Sequence, residues 1–296
     1  MSVELCGLRL AHPVINGSGT FDAIAAETVF GGALLARFPF SAYVSKTITL
    51  QARAGNPAPR LWEAPAGLVN SIGLPNRGLA GYIEHDLPRL ARLPVPLITN
   101  VMGATAAELV QLVAACDARS EIAAIELNVS CPNVKTGLDI GADPRQLEAV
   151  CREVRPATGK PLIVKLTPNT ADVAACALAA QDGGADAVSL INTLRAAALH
   201  PRSRRPWLGG GSGGLSGPAI RAVALAQVAA VARRVSVPVI GMGGVQSAAH
   251  AQDLLDAGAS LVAVGSESFR DPCAGAQIAH DLARRRSSPH TPAGSP

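Results

Sequence analysis

The chain is poor in aromatic side chains: two Trp, two Tyr and five Phe, 3% of 296 residues. With 48% hydrophobic residues overall, its core must be aliphatic. Charge is also sparse, at 16% Asp, Glu, Lys and Arg, and the formal net charge is only +4. That balance suits small anionic ligands as well as nucleic acid, and gives no reason to invoke nucleic acid as a partner. No apolar run approaches the roughly 20 residues of a membrane span. Met1–Leu10 has no basic stretch followed by an apolar one, so no signal peptide is expected. None of the six cysteines (Cys6, Cys116, Cys131, Cys151, Cys176, Cys273) forms a CxxC pair or lies near a His at metal-ligand spacing. A zinc or iron–sulfur site held by this chain by itself is not expected, and scattered thiols point to a reducing cytoplasm. No G-x-G-x-x-G opens a helix after the first strand, and no solenoid period is present.

What the chain does have is an alternation of short apolar runs with Ala/Leu-rich stretches. That is the pattern of parallel strands covered by helices. Strands are expected at Pro13–Asn16, Ala42–Lys46, Pro96–Asn100, Ala123–Asn128, Pro161–Leu166, Ala185–Asn192, Val237–Gly241 and Ser260–Gly265. Eight such units predict a (β/α)8 TIM barrel, one domain over 1–283, followed by a disordered Arg/Ser/Pro-rich tail over 284–296.

In a barrel the C-terminal strand ends surround one cavity. Here they carry Gly17-Ser18-Gly19, Lys46-Thr47, Asn100, Asn128, Lys165, Asn192-Thr193, Gly243-Gly244 and Gly265-Ser266. A single Lys or Asn at a strand end is usually solvated surface; convergence changes that weighting. Glycines after strands seven and eight fit a phosphate held by backbone N–H groups. Three long connections would lie over the same mouth: Ile48–Asn76, Cys131–Ala142 and Leu194–Gly217. Long loops there often act as lids, and Gly209–Gly214 predicts unusual flexibility in the third.

This set accommodates a flavin mononucleotide and a second planar ligand. Lys165 suits the negative charge that builds on a reduced flavin. Asn70, Asn128, Asn133 and Asn192 offer donor and acceptor to a pyrimidine-like substrate, and Lys46 can face the flavin or a substrate carboxylate. Cys131, in Asn128-Val129-Ser130-Cys131-Pro132-Asn133, is the expected general base, because a loop thiol among amides is poorly explained as packing. The other five cysteines read as small buried hydrophobes.

At NVSCPNVK (128–135), KLTPN (165–169), GNPAPR (55–60), NSIGLPN (70–76), GGLSGPAI (213–220) and GMGGV (241–245) the chain resembles the class 1 dihydroorotate dehydrogenases, from about Val14 to Pro272. The resemblance implies an FMN enzyme oxidising dihydroorotate to orotate, with Cys131 taking the C5 proton and the C6 hydride passing to the flavin. It implies substrate contacts at Lys46, Asn70, Ile72, Gly73, Leu74, Asn128, Asn133, Asn192 and Thr193. For FMN it implies Ser18, Lys46, Thr47, Asn100, Asn128, Lys165, Ile191, Gly217, Gly243, Gly244, Gly265 and Ser266. The motifs GLSGPAI, GMGG and KTITL look like the NAD-linked subclass 1B. That subclass implies a partner subunit carrying FAD and a [2Fe–2S] cluster, around a homodimer core of a heterotetramer. A fumarate-using 1A enzyme, a flavin-free phosphate-binding isomerase or lyase, and a non-catalytic scaffold barrel are the alternatives. Leu194–Arg205 departs from the subclass pattern. Its plain reading is a solvated basic loop; its sharper one is that Arg202, Arg204 and Arg205 dock an acidic partner surface.

Overall fold

The computed structural model describes residues 2–129 and 137–287. In chain order the strands are β1 (Val3–Leu5), β2 (Leu8–Leu10), β3 (Val14–Asn16), β4 (Tyr43–Val44), β5 (Leu61–Ala64), β6 (Gly67–Asn70), β7 (Leu97–Val101), β8 (Ala124–Asn128), β9 (Leu162–Lys165), β10 (Ala187–Leu190), β11 (Leu194–Ala196), β12 (Gly213–Ser216), β13 (Val239–Met242) and β14 (Leu261–Val264). Eight of them form one parallel sheet in the order β3-β14-β13-β10-β9-β8-β7-β4. These are the eight predicted strands, shortened at most ends and displaced by one residue at Val101 and Met242. The architecture is a (β/α)8 TIM barrel.

Helices cover the outside, among them Ala106–Asp117, Pro144–Val154, Val173–Asp182 and Ala248–Asp256. Thr105, Asp143, Asp172 and Ser247 begin these four by accepting N–H groups of the first turn. One apolar layer fills the space between helices and sheet, with Leu112, Ile125, Val164, Val228 and Val262 fully buried. A second fills the barrel interior. It comprises Ile15, Ala42, Val44, Ile98, Ala124, Ile163, Ala187, Ile240, Met242, Leu261 and Ala263, closed below by Leu5 and Leu10 of the β1–β2 hairpin. No aromatic residue belongs to it, so small and branched aliphatic side chains fill the narrow barrel. None of the described helices is long and apolar enough to cross a membrane. The last helix, Ala274–Ser287, runs past residue 283, the expected end of the domain.

The barrel closes through a side chain. No backbone ladder joins β3 to β4. Instead the Asn16 amide donates to Val44 O at 2.8 Å and accepts from Val44 N at 2.8 Å, with no exposure to solvent. Ser41 N and Oγ add bonds to Val14 O just below.

A second sheet, β11-β12-β6-β5, is antiparallel throughout and built from two of the long connections. It corrects the expectation of flexibility at Gly209–Gly214. Gly213 and Gly214 belong to β12, and Gly209 N donates to Pro59 O at 2.8 Å. A Cβ at Gly209, Gly213 or Gly214 would collide with Pro57 O, Asn70 O or the Thr193 hydroxyl respectively. The run allows close approach of backbones.

Replacing Asn16 by Ala removes both partners of the Val44 peptide groups. The expected loss is about 2–4 kcal/mol from two buried unsatisfied groups. Urea unfolding measures it; a loss under about 0.5 kcal/mol would show that β3 and β4 close by other means.

Candidate active site

A cavity of about 810 Å³ opens at the C-terminal ends of the barrel strands, under the second sheet. The barrel register sets its floor. Asn128 is paired with Lys165 across β8 and β9, so the two side chains stand together at the top of the barrel, 5% and 6% exposed. Asn128 Nδ2 donates to Thr47 Oγ1 at 3.4 Å. Ser18 Oγ donates to Ser45 O at 2.8 Å, which docks the first strand's loop on the second's and puts Ser18 beside Lys46 and Thr47 on the wall.

On the lid side, Asn70 closes β6 and its Nδ2 donates to Gly214 O at 3.1 Å. Ile72, Gly73 and Leu74 follow it into the lining. Their loop is held by Asn56 and Arg60 of the GNPAPR motif. Asn56 Nδ2 donates to Ser71 Oγ at 3.0 Å, and Arg60 donates to Asn56 O and Ala54 O. Opposite stand Ile191, Asn192 and Thr193 beyond β10. Asn169 of KLTPN pins them by donating to Thr193 O at 3.0 Å and accepting from Arg195 N at 2.8 Å.

The far end of the cavity is lined by Gly217, Gly243, Gly244, Gly265 and Ser266. Gly243 and Gly244 have φ of 137° and 69°, a backbone that side chains rarely adopt, and a Cβ there would meet Ala224, Arg221 or Gly217. Exposed N–H groups of such a loop make an anion cradle. Ser266 Oγ donates to Ser216 Oγ at 2.7 Å and steadies the rim.

Of the expected site residues, Asn100 does not line the cavity. It lies fully buried on β7, one layer down, with Nδ2 donating to Glu126 Oε2 at 2.5 Å and Oδ1 without a partner. Cys131 and Asn133 lie outside the described residues. Sequence reasoning passed over Ser216, Gln246 and Glu267 on the rim and Glu126 below the floor. Only Glu126 carried a sequence signal: a carboxylate inside an apolar strand run. Among the described residues no three His, Cys, Asp or Glu side chains gather as a metal site.

A smaller cavity of about 660 Å³ lies between Phe21, Tyr43, Tyr82 and Leu90, and shares Gly19 and Lys46 with the larger one. Lys46 thus stands on the wall between the two. The basic segment is partly solvated as expected, with Arg202, Arg204 and Arg205 exposed. It is also more ordered than a plain loop: Leu194–Ala196 pairs with β12, His200 stacks on Trp207, and Trp207 Nε1 donates to Leu61 O at 3.2 Å.

Residues 1–285 match the family model described as dihydroorotate dehydrogenase. The chain belongs to this family. It is 44% identical over 292 residues to a protein of Pelobacter propionicus, covering 96% of this chain and 92% of that one. It is 45% identical over 285 residues to a protein of Desulforudis audaxviator, covering 95% and 91%. A protein of Geobacter sulfurreducens is 42% identical over 292 residues, covering 96% and 92%. All three are named dihydroorotate dehydrogenase B (NAD(+)), catalytic subunit.

The thiols away from the site follow burial. Cys116, Cys151 and Cys176 are buried, as expected, while Cys6 is half-buried. Cys273 is exposed, against expectation, because it sits in the turn that starts the last helix, its N–H bonded to Asp271. Burial pushes the Cys116 and Cys151 thiols up to about 12 and Cys6 up to about 11. At pH 8 the thiolate fraction of the first two is on the order of 10⁻⁴. Iodoacetamide at pH 8 is therefore expected to alkylate Cys273 and leave Cys116 and Cys151 intact in the native protein, read by peptide mass spectrometry. Equal labelling of all three would contradict the packing described.

Proposed function

We propose that this chain is the catalytic subunit of an NAD-linked dihydroorotate dehydrogenase. It oxidises dihydroorotate to orotate in pyrimidine biosynthesis, with FMN and substrate together in the cavity. The observation that carries the reading is convergence. Two lysines, the amides of Asn70, Asn128 and Asn192, and a glycine cradle line one open cavity of about 810 Å³, within the usual size of cofactor sites, roughly 300–1,000 Å³.

The residues present fit FMN. The Gly243-Gly244 and Gly265-Ser266 loops, with Gly217, suit its phosphate. Asn100 Oδ1 is an orphaned buried acceptor just below the floor, and Lys165 is a buried cation with no ion pair among the described residues. A flavin-free sugar-phosphate enzyme would use the cradle and leave both of these without a task. Ser18, Thr47, Asn128 and Ile191 complete the flavin set. Bound FMN supplies the two-electron acceptor that takes the C6 hydride.

The chain does the rest. Asn70, Asn128, Asn133, Asn192 and Thr193 hold the pyrimidine ring by its amides, and the Ile72-Gly73-Leu74 turn closes over it. Lys46 offers its ammonium to the substrate carboxylate or the flavin. Cys131 Sγ, as thiolate, takes the C5 proton. Lys165 stabilises negative charge that builds beside it. The relatives' names support a separate electron-transfer subunit, which would carry FAD and [2Fe–2S]. A homodimer of this chain in a cytoplasmic heterotetramer is the assembly proposed.

Purified protein is expected to show a flavin absorbance spectrum that dihydroorotate bleaches without oxygen. A colourless protein that takes up no FMN would sink the reading. Cys131→Ala should keep FMN and lose about 10²–10⁴-fold in bleaching rate, the usual contribution of a general base. The wild-type rate should climb with pH as the thiol ionises, near ~8.5 for an unshifted cysteine. Near-normal bleaching by Cys131→Ala would place the base elsewhere. Adding NAD, fumarate or a quinone to the co-purified complex identifies the acceptor, with NAD expected.

A further inference from the structure

Glu126 is a carboxylate inside the barrel, 3% exposed. It follows Ala124 of the interior core and precedes Asn128 of the cavity floor on the same face of β8. Its partners are neutral: Oε2 accepts from Asn100 Nδ2 at 2.5 Å and Oε1 from Ser189 Oγ at 2.6 Å. Glu126 makes no ion pair among the described residues. A buried charge held by two neutral donors is costly as a packing element, and an apolar residue would fill the place more cheaply.

Two consequences reach the cavity above. An ionised carboxylate only accepts, so the Asn100 amide must turn Nδ2 toward it, which leaves Oδ1 as its acceptor on the other side. That oxygen is the buried acceptor without a partner. Second, Glu126 and Ser189 bond across β9, and Ser189 is the register partner of Lys165. One negative charge therefore lies below the two cations that line the cavity, in an interior where fields are weakly screened.

We propose that Glu126 is a positioning residue that sets the balance between oxidised and reduced flavin. It fixes Asn100 as an acceptor and offsets the field of Lys165 and Lys46. The inference rests on FMN occupying the cavity. Reduction adds negative charge to the flavin, so the Glu126 charge disfavours the reduced form and its removal favours it.

The test is the ratio of dissociation constants for reduced and oxidised FMN, measured on the flavin-stripped full chain by fluorescence and by anaerobic titration. Glu126→Gln keeps the shape and removes the charge. The ratio is expected to fall about tenfold, equivalent to a rise of about 30 mV for a two-electron couple. Ser189→Ala, which withdraws one of the two donors that hold the carboxylate in place, should move the ratio the same way by less. It carries the test if Glu126→Gln does not fold. An unchanged ratio, with both affinities weakened alike, would reduce Glu126 to a structural role and overturn the proposal, as would a rise. A wild-type chain that binds FMN in neither oxidation state would overturn the proposed function itself.

Discussion

The geometry of the site depends on the amide of Asn16. A parallel barrel normally satisfies every interior peptide group by a neighbouring strand, yet β3 and β4 meet without a ladder. Asn16 supplies one donor and one acceptor at 2.8 Å to the same residue, Val44, and so replaces one rung of the missing pairing. Each strand then delivers its following residues to the same wall. Gly17-Ser18-Gly19 leaves β3 and Lys46-Thr47 leaves β4, and Ser18 bonds across to Ser45 O. Without the clamp the two strand ends would rely on the Ser41–Val14 and Ser18–Ser45 bonds, and the wall that carries Lys46 would be held less firmly.

Above that closure, polarity is arranged in layers. On β8 the inward side chains run from Ala124 in the apolar interior, through Glu126 in a hydrogen-bonded belt, to Asn128 at the cavity floor. β9 repeats the order as Ile163 and then Lys165; β10 repeats it as Ala187 and Ser189. Buried dipoles and charges held this way need no reorganisation when a ligand's charge changes, which is the condition under which electrostatic stabilisation is largest. The aliphatic interior beneath them matters for the same reason: it keeps the belt dry.

The barrel and most of the cavity were legible because each depends on local pattern. A run such as Ala123–Asn128 marks its own strand, and parallel topology alone brings Asn128, Lys165 and Gly243 to one end of a barrel. What escaped depends on distant partners. Gly213–Ser216 has no strand-like pattern of its own; it becomes a strand because β6, 144 positions away at Asn70–Gly214, lies against it. Glycines there read as freedom, whereas they remove side chains that would block backbone contact. Asn16 read as a strand end, since nothing local tells that its amide turns sideways to another strand. Glu126 was passed over although a carboxylate is odd in an apolar run, and its partners Asn100 and Ser189 come from two other strands. Asn100, expected to touch the cofactor, stands level with Glu126, because the register between β7 and β8 pairs it with Glu126 and not with Asn128.

The lid sheet changes how access to the cavity must work. Asn70 sits on β6 and Thr193 just before β11, and β12 joins their strands into one antiparallel unit. Thr193 is further tied to the β9 loop through Asn169. Ladder bonds break at a cost that grows with their number, so 61–70 and 194–216 cannot open independently. Two of the three long connections thus act as one wall over the cavity.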